Sequence, residues 1–142
     1  MIPIREIDHV VLRVRDIDAM RRFYCEVLGA QHVAWRPEFG MSHLKAGRSM
    51  IDLVTVEGPL GRPGGAGPGK EGRNMDHLCL RVEPFDQEAI VAHLRRHGVA
   101  VGEIRRRYGA EGNGISIYVT DPEGNLVELK GPSDGQPPPA SP

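Results

Sequence analysis

One eight-residue pattern of apolar and polar positions occurs twice in the chain. Residues 7–14 read Ile-Asp-His-Val-Val-Leu-Arg-Val, and residues 75–82 read Met-Asp-His-Leu-Cys-Leu-Arg-Val. Five of the eight positions are identical, and the other three exchange one apolar residue for another. Both stretches alternate with the period of two that is typical of a strand with one buried face. We therefore predict an internal duplication in which each half begins with a strand.

A helical pattern follows each of these strands. The first helix begins near Asp16 or Asp18, either of which can cap it, and it ends at Gly29. The second helix runs from about Asp86 to His97. Strand-like runs then follow in each half, at 32–36, 42–47 and 49–56 in the first and at 99–105, 115–120 and 125–130 in the second. Each half thus reads β-α-β-β-β, which predicts an α+β fold.

Glycine and proline divide the chain into modules. We predict one domain over residues 1–131, made of module one (5–56), a linker (57–74) and module two (75–131). The linker is crowded with glycine and proline, which predicts mobility because such a segment buries little apolar surface. The tail, residues 132–142, is rich in proline and small residues, and we expect it to be disordered.

The alternation also predicts which side chains share a face of each sheet. His9 and His77 lie opposite a purely apolar face of the first strand of each half. In the last strand of each half, Asp52 and Glu128 lie opposite apolar neighbours in the same way. If the helices cover the apolar faces, the polar faces line a common cavity. The two modules then form a cup-shaped mixed sheet with the helices on its outer face.

Two imidazoles and two carboxylates at equivalent positions of a repeat form a ligand set. We predict that His9, Asp52, His77 and Glu128 bind one metal ion. Nitrogen and oxygen ligands in this mixture suit Zn²⁺, Ni²⁺, Mn²⁺ or Fe²⁺. A divalent cation also explains two carboxylates in a partly dry cavity, where unpaired charges would be costly.

Composition and charge limit the kinds of molecule that the protein is expected to bind. With a formal net charge of -1, the protein has no positive electrostatic field that would attract nucleic acid. The sequence has no apolar run of about 18 residues that could span a membrane, and its first residues lack the apolar core of a signal peptide. The two cysteines form no CxxC pair, which favours reduced thiols. We therefore expect a cytoplasmic protein whose partner is a small molecule.

The sequence resembles the vicinal oxygen chelate superfamily, which includes glyoxalase I, fosfomycin-resistance proteins, extradiol dioxygenases, methylmalonyl-CoA epimerase and bleomycin-resistance proteins. The resemblance covers about residues 6–130. It is carried by Ile7-Asp8-His9-Val10, by Phe23-Tyr24-x-x-Val27-Leu28-Gly29, by Met75-Asp76-His77, and by residues 116–129 with the turn Asp121-Pro122-Glu123-Gly124-Asn125. It implies paired βαβββ modules that form a cup, usually in a homodimer, with the metal at the centre.

The resemblance also supplies roles for single residues. Glyoxalase I-like members place His, Glu, His and Glu where this chain has His9, Asp52, His77 and Glu128. Asp52 is one methylene shorter than glutamate, so it binds the ion through a water, binds it after a strand shift, or leaves that position free. Fosfomycin-resistance proteins keep only the two histidines and the last glutamate, and they tend to carry Ser and Tyr where Ser116 and Tyr118 stand here. Bleomycin-sequestering members lack the metal ligands.

The function expected from these residues is that of a metal-dependent glyoxalase-like enzyme, a lyase or isomerase of a small vicinally oxygenated molecule. Glu128 or Asp52 is the expected catalytic base. Ser116, Tyr118 and Arg107 are the expected substrate-binding residues, although the run 105–107 also suits a solvated loop and Tyr118 also suits a packing role. The alternatives are a fosfomycin-type transferase or epoxide hydrolase, a small extradiol-type dioxygenase, and a non-catalytic binding protein.

Overall fold

The structure, a computed structural model, describes residues 1–137. The chain divides into two compact units, which we call the first half (Met1–Arg73) and the second half (from Asn74 onward). Each half contains a four-stranded mixed sheet together with helical segments. The predicted α+β class is thereby confirmed.

In the first half the elements are β1 (His9–Val14), α1 (Ile17–Arg22), β2 (Gln31–Arg36), β3 (Met41–Ala46) and β4 (Ser49–Thr55). The helix continues as a π-helical turn over Phe23–Val27. The strand order is β1-β4-β3-β2, with β1 and β4 parallel and the other pairs antiparallel. Because β4 lies between β1 and β3, a side chain on β4 has neighbours from both strands on its own face.

The second half repeats this arrangement with β5 (His77–Arg81), α2 (Gln87–Arg96), β6 (Ile104–Gly109), β7 (Gly112–Thr120) and β8 (Leu126–Lys130). The strand order is β5-β8-β7-β6, with β5 and β8 parallel. The last strand is therefore again flanked by the first and third strands of its own half.

Both helices begin at an aspartate. The side chain of Asp16 accepts a hydrogen bond of 2.9 Å from the Ala19 amide, and that of Asp86 accepts one of 3.0 Å from the Ala89 amide. Each bond satisfies an amide that the first helical turn leaves without a partner. The predicted start of α1 is thus confirmed, with Asp16 rather than Asp18 as its cap, and α2 begins next to Asp86, as predicted.

The apolar face of each sheet forms the core of its half. In the first half Val14, Leu53, Met20 and Tyr24 are fully buried. In the second half the buried residues of the same kind are Leu94, Ile117, Val119, Val127 and Leu129. Burial of one such side chain stabilises a fold by about 1.5–3 kcal/mol. The predicted alternation is therefore correct in the strands that carry the candidate site.

One predicted strand is wrong. Residues 99–105 were expected to be extended, but β6 begins only at Ile104 and runs to Gly109. The Val99 amide instead bonds to the Leu94 carbonyl and closes the end of α2, and the Gly102 amide bonds to the Tyr118 carbonyl. The arginine run 105–107 consequently lies in a strand and not in a solvated loop.

The segments between and after the modules carry more hydrogen bonds than their composition suggests. A 3-10 turn forms at Arg62–Gly64, and the Arg13 guanidinium donates to carbonyls at residues 61, 64, 65 and 66. In the tail, the Asp134 carboxylate pairs with Arg106, at 2.5 Å. Residues 138–142 of the predicted tail lie outside the described residues. The predicted mobility of these segments stays a prediction.

Among the described residues, the helices are all too short or too polar to cross a membrane.

Candidate metal and substrate site

A buried carboxylate, Glu128, lies at the centre of a polar cluster in the second half. It is in register with Cys79 on β5 and with Tyr118 on β7. Its Oε2 lies 3.0 Å from His77 Nε2 and accepts a 3.0 Å hydrogen bond from the Tyr118 hydroxyl. Its Oε1 accepts a hydrogen bond from the Ser116 hydroxyl. Glu128 is only 4% exposed, so these contacts replace the water that an ionised carboxylate requires.

The cluster adjoins a cavity of about 450 Å³ through His77 and Tyr118. The two rings meet edge-on, with centroids 5.8 Å apart. The guanidinium carbon of Arg107 lies 5.7 Å from the centre of the Tyr118 ring, and its Nη2 is 2.7 Å from a carboxylate oxygen of Glu103. All four residues line the cavity, which has the size of a small-molecule site.

The structure thus brings together the predicted site residues of the second half. His77, Glu128, Ser116, Tyr118 and Arg107 belong to one face of the sheet. Arg107 joins them because the arginine run is a strand whose alternate residues point to that face. The Tyr118 ring lines the cavity and its hydroxyl donates a hydrogen bond to Glu128; its substrate-binding role stays a prediction.

The first half places a second buried carboxylate, Asp52, at the equivalent position of β4. Asp52 is 4% exposed and is in register with Val11 on β1 and His43 on β3. Its Oδ1 lies 2.9 Å from His43 Nδ1. His43 was not among the residues predicted from the sequence, although the alternation of the predicted strand 42–47 places it on the same face as Asp52 once the register is known.

The two predicted histidine ligands have the same local environment. His9 Nδ1 lies 2.6 Å from Asp8 Oδ1, and His77 Nδ1 lies 2.6 Å from Asp76 Oδ2. An ionised carboxylate only accepts hydrogen bonds, so in each pair Nδ1 is the donor, and Nε2 carries a lone pair whenever the ring is neutral. Carboxylates that hold the other nitrogen in this way are typical of metal-binding histidines. Both Asp-His dipeptides were visible in the repeat.

His77 and Glu128 fit a divalent cation. In a neutral ring with its proton on Nδ1, the Nε2 lone pair faces the Glu128 carboxylate at 3.0 Å. A divalent cation bound by both groups would offset their repulsion, as would a proton on Nε2. Two ligand atoms bound about 2.1 Å from one ion, at roughly a right angle, lie about 3 Å apart. The two side chains are therefore suitable neighbours in one coordination shell.

His9 and Asp52 occupy the same face of the first sheet, because His9 is in register with Met50, two residues before Asp52. The pKa of His9 is raised, mainly by its hydrogen bond to Asp8, and the Asp52 carboxylate adds to the increase. Within residues 1–137, no group of three or more histidine, cysteine or acidic side chains lies close enough together to hold a metal ion. The predicted four-residue ligand set takes two members from each half, and it stays a prediction.

Burial and nearby charges shift the pKa of the Tyr118 phenol at the cavity wall. Partial burial is the main cause of a raised pKa at Tyr118; the Glu128 carboxylate raises it further, and Arg107 opposes the shift. A raised pKa keeps the phenol protonated at neutral pH. Tyr118 is therefore a hydrogen-bond donor towards Glu128.

Cys79 lies beside the same carboxylate but is not a nucleophile. Partial burial and then the charge of Glu128 raise the pKa of its thiol to about 11. At pH 8 roughly one thiol in a thousand is ionised at such a pKa, and the thiolate is the reactive form.

We therefore expect Cys79 to react with iodoacetamide at pH 8 about 100-fold more slowly than free cysteine does. The measurement is mass-spectrometric and uses a Cys25→Ser background, so that one thiol is followed. Adding Glu128→Gln should increase the rate, because the carboxylate no longer opposes ionisation. A reaction at the rate of free cysteine would contradict the assigned environment.

Comparison with known proteins agrees with the fold. Residues 6–129 match the family model of the glyoxalase/bleomycin resistance protein/dioxygenase superfamily. Virulence protein STM3117 of Salmonella typhimurium is 33% identical over 132 residues, which cover 89% of this chain and 83% of that protein. Its crystal structure superposes with a TM-score of 0.73 at 32% identity, over 93% of this chain and 99% of that one.

Two further relatives have named activities. The mitochondrial methylmalonyl-CoA epimerase of Homo sapiens is 30% identical over 133 residues, covering 87% of this chain and 72% of that protein. The crystal structure of TnmS3, an antibiotic-binding protein from Streptomyces sp. CB03234, matches with a TM-score of 0.67 at 25% identity, over 94% of this chain and all of that one (100%). With a family model that spans nearly the whole folded region, the chain belongs to the glyoxalase/bleomycin resistance protein/dioxygenase superfamily.

Proposed function

We propose that the protein is a metal-dependent glyoxalase-like enzyme, a lyase or isomerase that acts on a small molecule with two neighbouring oxygen atoms. The Glu128 cluster carries this proposal. It gathers an imidazole, a phenol and a hydroxyl around one buried carboxylate, next to a cavity of small-molecule size. Titratable groups with shifted pKa values at the wall of a cavity are typical of functional sites.

The ion, Zn²⁺, Ni²⁺, Mn²⁺ or Fe²⁺, is assigned to His9, His77 and Glu128, with a further ligand from the first half. The sequence pattern assigned that position to Asp52. When bound, such an ion stabilises negative charge that develops on the oxygen atoms of the substrate.

The cavity wall indicates an acidic substrate. Arg107 lines the cavity, and its guanidinium is suited to a carboxylate or phosphonate group. Its present partner, Glu103, is a partly exposed side chain that a substrate anion can replace. Tyr118 and Ser116 hold Glu128 in place by donating hydrogen bonds to its carboxylate, and the Tyr118 hydroxyl oxygen can accept a hydrogen bond from a hydroxyl group of the substrate.

Proton transfer is assigned to Glu128. Asp52, the second predicted base, is as buried as Glu128, and it is hydrogen-bonded to His43, which does not line this cavity. Glu128 contacts two residues of the cavity wall, His77 and Tyr118. An isomerase removes a proton from carbon and returns it, which requires no oxidant. The likeness to a methylmalonyl-CoA epimerase supports this reaction class.

We further propose that the protein is a homodimer and acts in the cytoplasm. The superfamily resemblance supports the dimer. The unpaired thiols of Cys25 and Cys79 support a reducing compartment.

Deuterium exchange tests the proposed reaction. The purified protein is loaded with each of the four ions in turn and incubated in D₂O with small 2-oxo acids, 2-hydroxy acids and 2-methyl-3-oxo thioesters. We expect at least one combination in which the NMR signal of the C–H next to the carbonyl disappears with time. The same protein treated with a chelator should show no exchange beyond that of buffer.

Other outcomes would favour a different member of the superfamily. Uptake of no ion contradicts the enzyme proposal. Tight binding of a small molecule without exchange favours a sequestering protein, as the likeness to an antibiotic-binding protein allows. Oxygen consumption with Fe²⁺ and a catechol favours a dioxygenase. Opening of an epoxide favours the fosfomycin-type reaction.

A further inference from the structure

A single carboxylate, that of Glu103, joins two arginines of β6. Its Oε1 lies 2.6 Å from Arg105 Nε, and its Oε2 lies 2.7 Å from Arg107 Nη2. Arg105 and Arg107 are in register with Ser116 and Gly114, so both lie on the face of the second sheet that carries the candidate site. Because two guanidinium groups share one carboxylate, the three side chains together keep one positive charge.

The backbone of Glu103 is fixed, although its side chain is accessible. Its carbonyl accepts a 2.9 Å hydrogen bond from the Tyr118 amide, and the neighbouring Gly102 amide donates one of 2.7 Å to the Tyr118 carbonyl. The Glu103 side chain is 44% exposed, so its carboxylate can leave the arginines and turn into solvent while the strand stays in place. Glu103 and Arg107 both line the cavity, which therefore gains an anion site when the carboxylate leaves.

Glu103 occupies the position that an anion from solution would take. Because the carboxylate is tethered, it has a high effective concentration at the two guanidinium groups and competes with every free anion. A free carboxylate that replaces it forms the same ion pairs and also loses translational freedom. A doubly charged oxyanion forms stronger pairs, since it offsets both guanidinium charges.

We infer that Arg105 and Arg107 form a subsite for a phosphate monoester, and that Glu103 is the specificity-determining residue that keeps singly charged anions out of it. Guanidinium groups match the geometry of phosphate oxygens, which suits two arginines on one face. The inference rests on the proposed function, which makes this cavity the substrate site, and it narrows the acidic substrate to a phosphorylated molecule.

The subsite is set apart from the proposed base by the Tyr118 side chain. The centre of its ring lies 5.7 Å from the Arg107 guanidinium carbon, and its hydroxyl lies 3.0 Å from Glu128 Oε2. A phosphate group on Arg107 is therefore separated from a carbon beside Glu128 by the breadth of this ring. The substrate class that fits is a phosphate monoester whose reacting carbon lies several bonds from the phosphorus.

Titration of the chelator-treated full chain at pH 8 tests the subsite without a metal ion that could itself hold the anion. The probes are methyl phosphate, which carries close to two negative charges at that pH, and methyl sulfate, which has the same shape and carries one. We expect methyl phosphate to bind at least about 10-fold more tightly than methyl sulfate. Titration calorimetry measures both affinities, and phosphorus NMR measures that of methyl phosphate independently.

Three variants separate the roles of the side chains. Glu103→Gln should bind both probes about 10-fold more tightly than the unchanged protein, because the competing carboxylate is lost from two exposed ion pairs. Arg107→Gln should bind methyl phosphate at least about 10-fold more weakly. Arg106→Gln is the matched control and should bind both probes as the unchanged protein does, since that arginine belongs to the same strand but lies on the opposite face and pairs with Asp134.

Each other outcome has a distinct meaning. Equal affinities of the unchanged protein for the two probes overturn the assignment to a doubly charged anion, and an unaltered affinity in Glu103→Gln overturns the role of Glu103. No binding of methyl phosphate, or a loss in Arg106→Gln as large as that in Arg107→Gln, overturns the subsite. These results leave the metal-dependent reaction standing, because no ion takes part in the measurement. Failure of the deuterium-exchange test overturns that reaction without altering these affinities. Circular dichroism of each variant shows whether it is folded.

Discussion

His77→Ala is expected to abolish stoichiometric metal binding and, with it, any metal-dependent activity. His77 contributes the Nε2 that faces Glu128 at 3.0 Å, and its Nδ1 is already held by Asp76. Alanine removes a ligand and also leaves the buried Glu128 carboxylate without its imidazole neighbour. Loss of one residue that only positions a ligand costs about 10- to 100-fold in affinity, so loss of the ligand itself should exceed that range. Titration calorimetry with Zn²⁺ or Ni²⁺ measures the change.

Two further variants define the origin of this effect. Asp76→Ala keeps the ring but removes the partner of Nδ1, and we expect a loss of about 10- to 100-fold. His93→Ala removes a half-buried histidine of α2, remote from the candidate site in the sequence, and should bind the ion as the unchanged protein does. Unaltered affinity in His77→Ala, with a normal circular dichroism spectrum, would contradict the metal site as proposed.

Most of the fold could be predicted from rules that involve only residues close together in the sequence. The period of two separated His9 and His77 from the apolar face, and Asp16 and Asp86 identified the helix starts, because alternation and capping depend only on neighbouring residues. The strand at 99–105 was predicted from the same period and was wrong. Its apolar residues follow α2 directly, and there the chain closes the helix end and contacts β7 through the Gly102 amide. That contact depends on tertiary structure.

The candidate site was predictable to a similar degree. Alternation placed Glu128, Ser116 and Tyr118 on one face, and each of these predictions agrees with the geometry of the second half. The partner of Asp52 was not found, because it depends on the register between β3 and β4. A shift of one residue in that hairpin would turn His43 to the opposite face. Alternation along a strand shows which face a side chain lies on. Which residues bind the same ion also depends on the register between strands and on the length of each side chain.

The turn before β8 provides the second large effect, a loss of stability in Asp121→Ala. Asp121 is 4% exposed. Its Oδ1 accepts 2.9 Å hydrogen bonds from the amides of Glu123 and Asn125, and its Oδ2 accepts one of 2.7 Å from Asn125 Nδ2. Alanine leaves these donors without the carboxylate. A part-buried donor left unsatisfied costs about 1–3 kcal/mol, so we expect the free energy of unfolding to fall by about 3 kcal/mol. Urea denaturation measures it.

Asp86→Ala is the matched control, because that carboxylate also accepts an amide hydrogen bond but does so at an exposed helix start. Loss of a helix cap costs about 1 kcal/mol. A similar small loss in Asp121→Ala would show that the backbone alone, with Gly124 at φ +85°, holds the turn. If the loss is the larger one, the metal affinity should fall as well, since the turn fixes where β8 begins and hence which residue lies beside Tyr118. The turn that carries the family resemblance would then act on function through the register of Glu128.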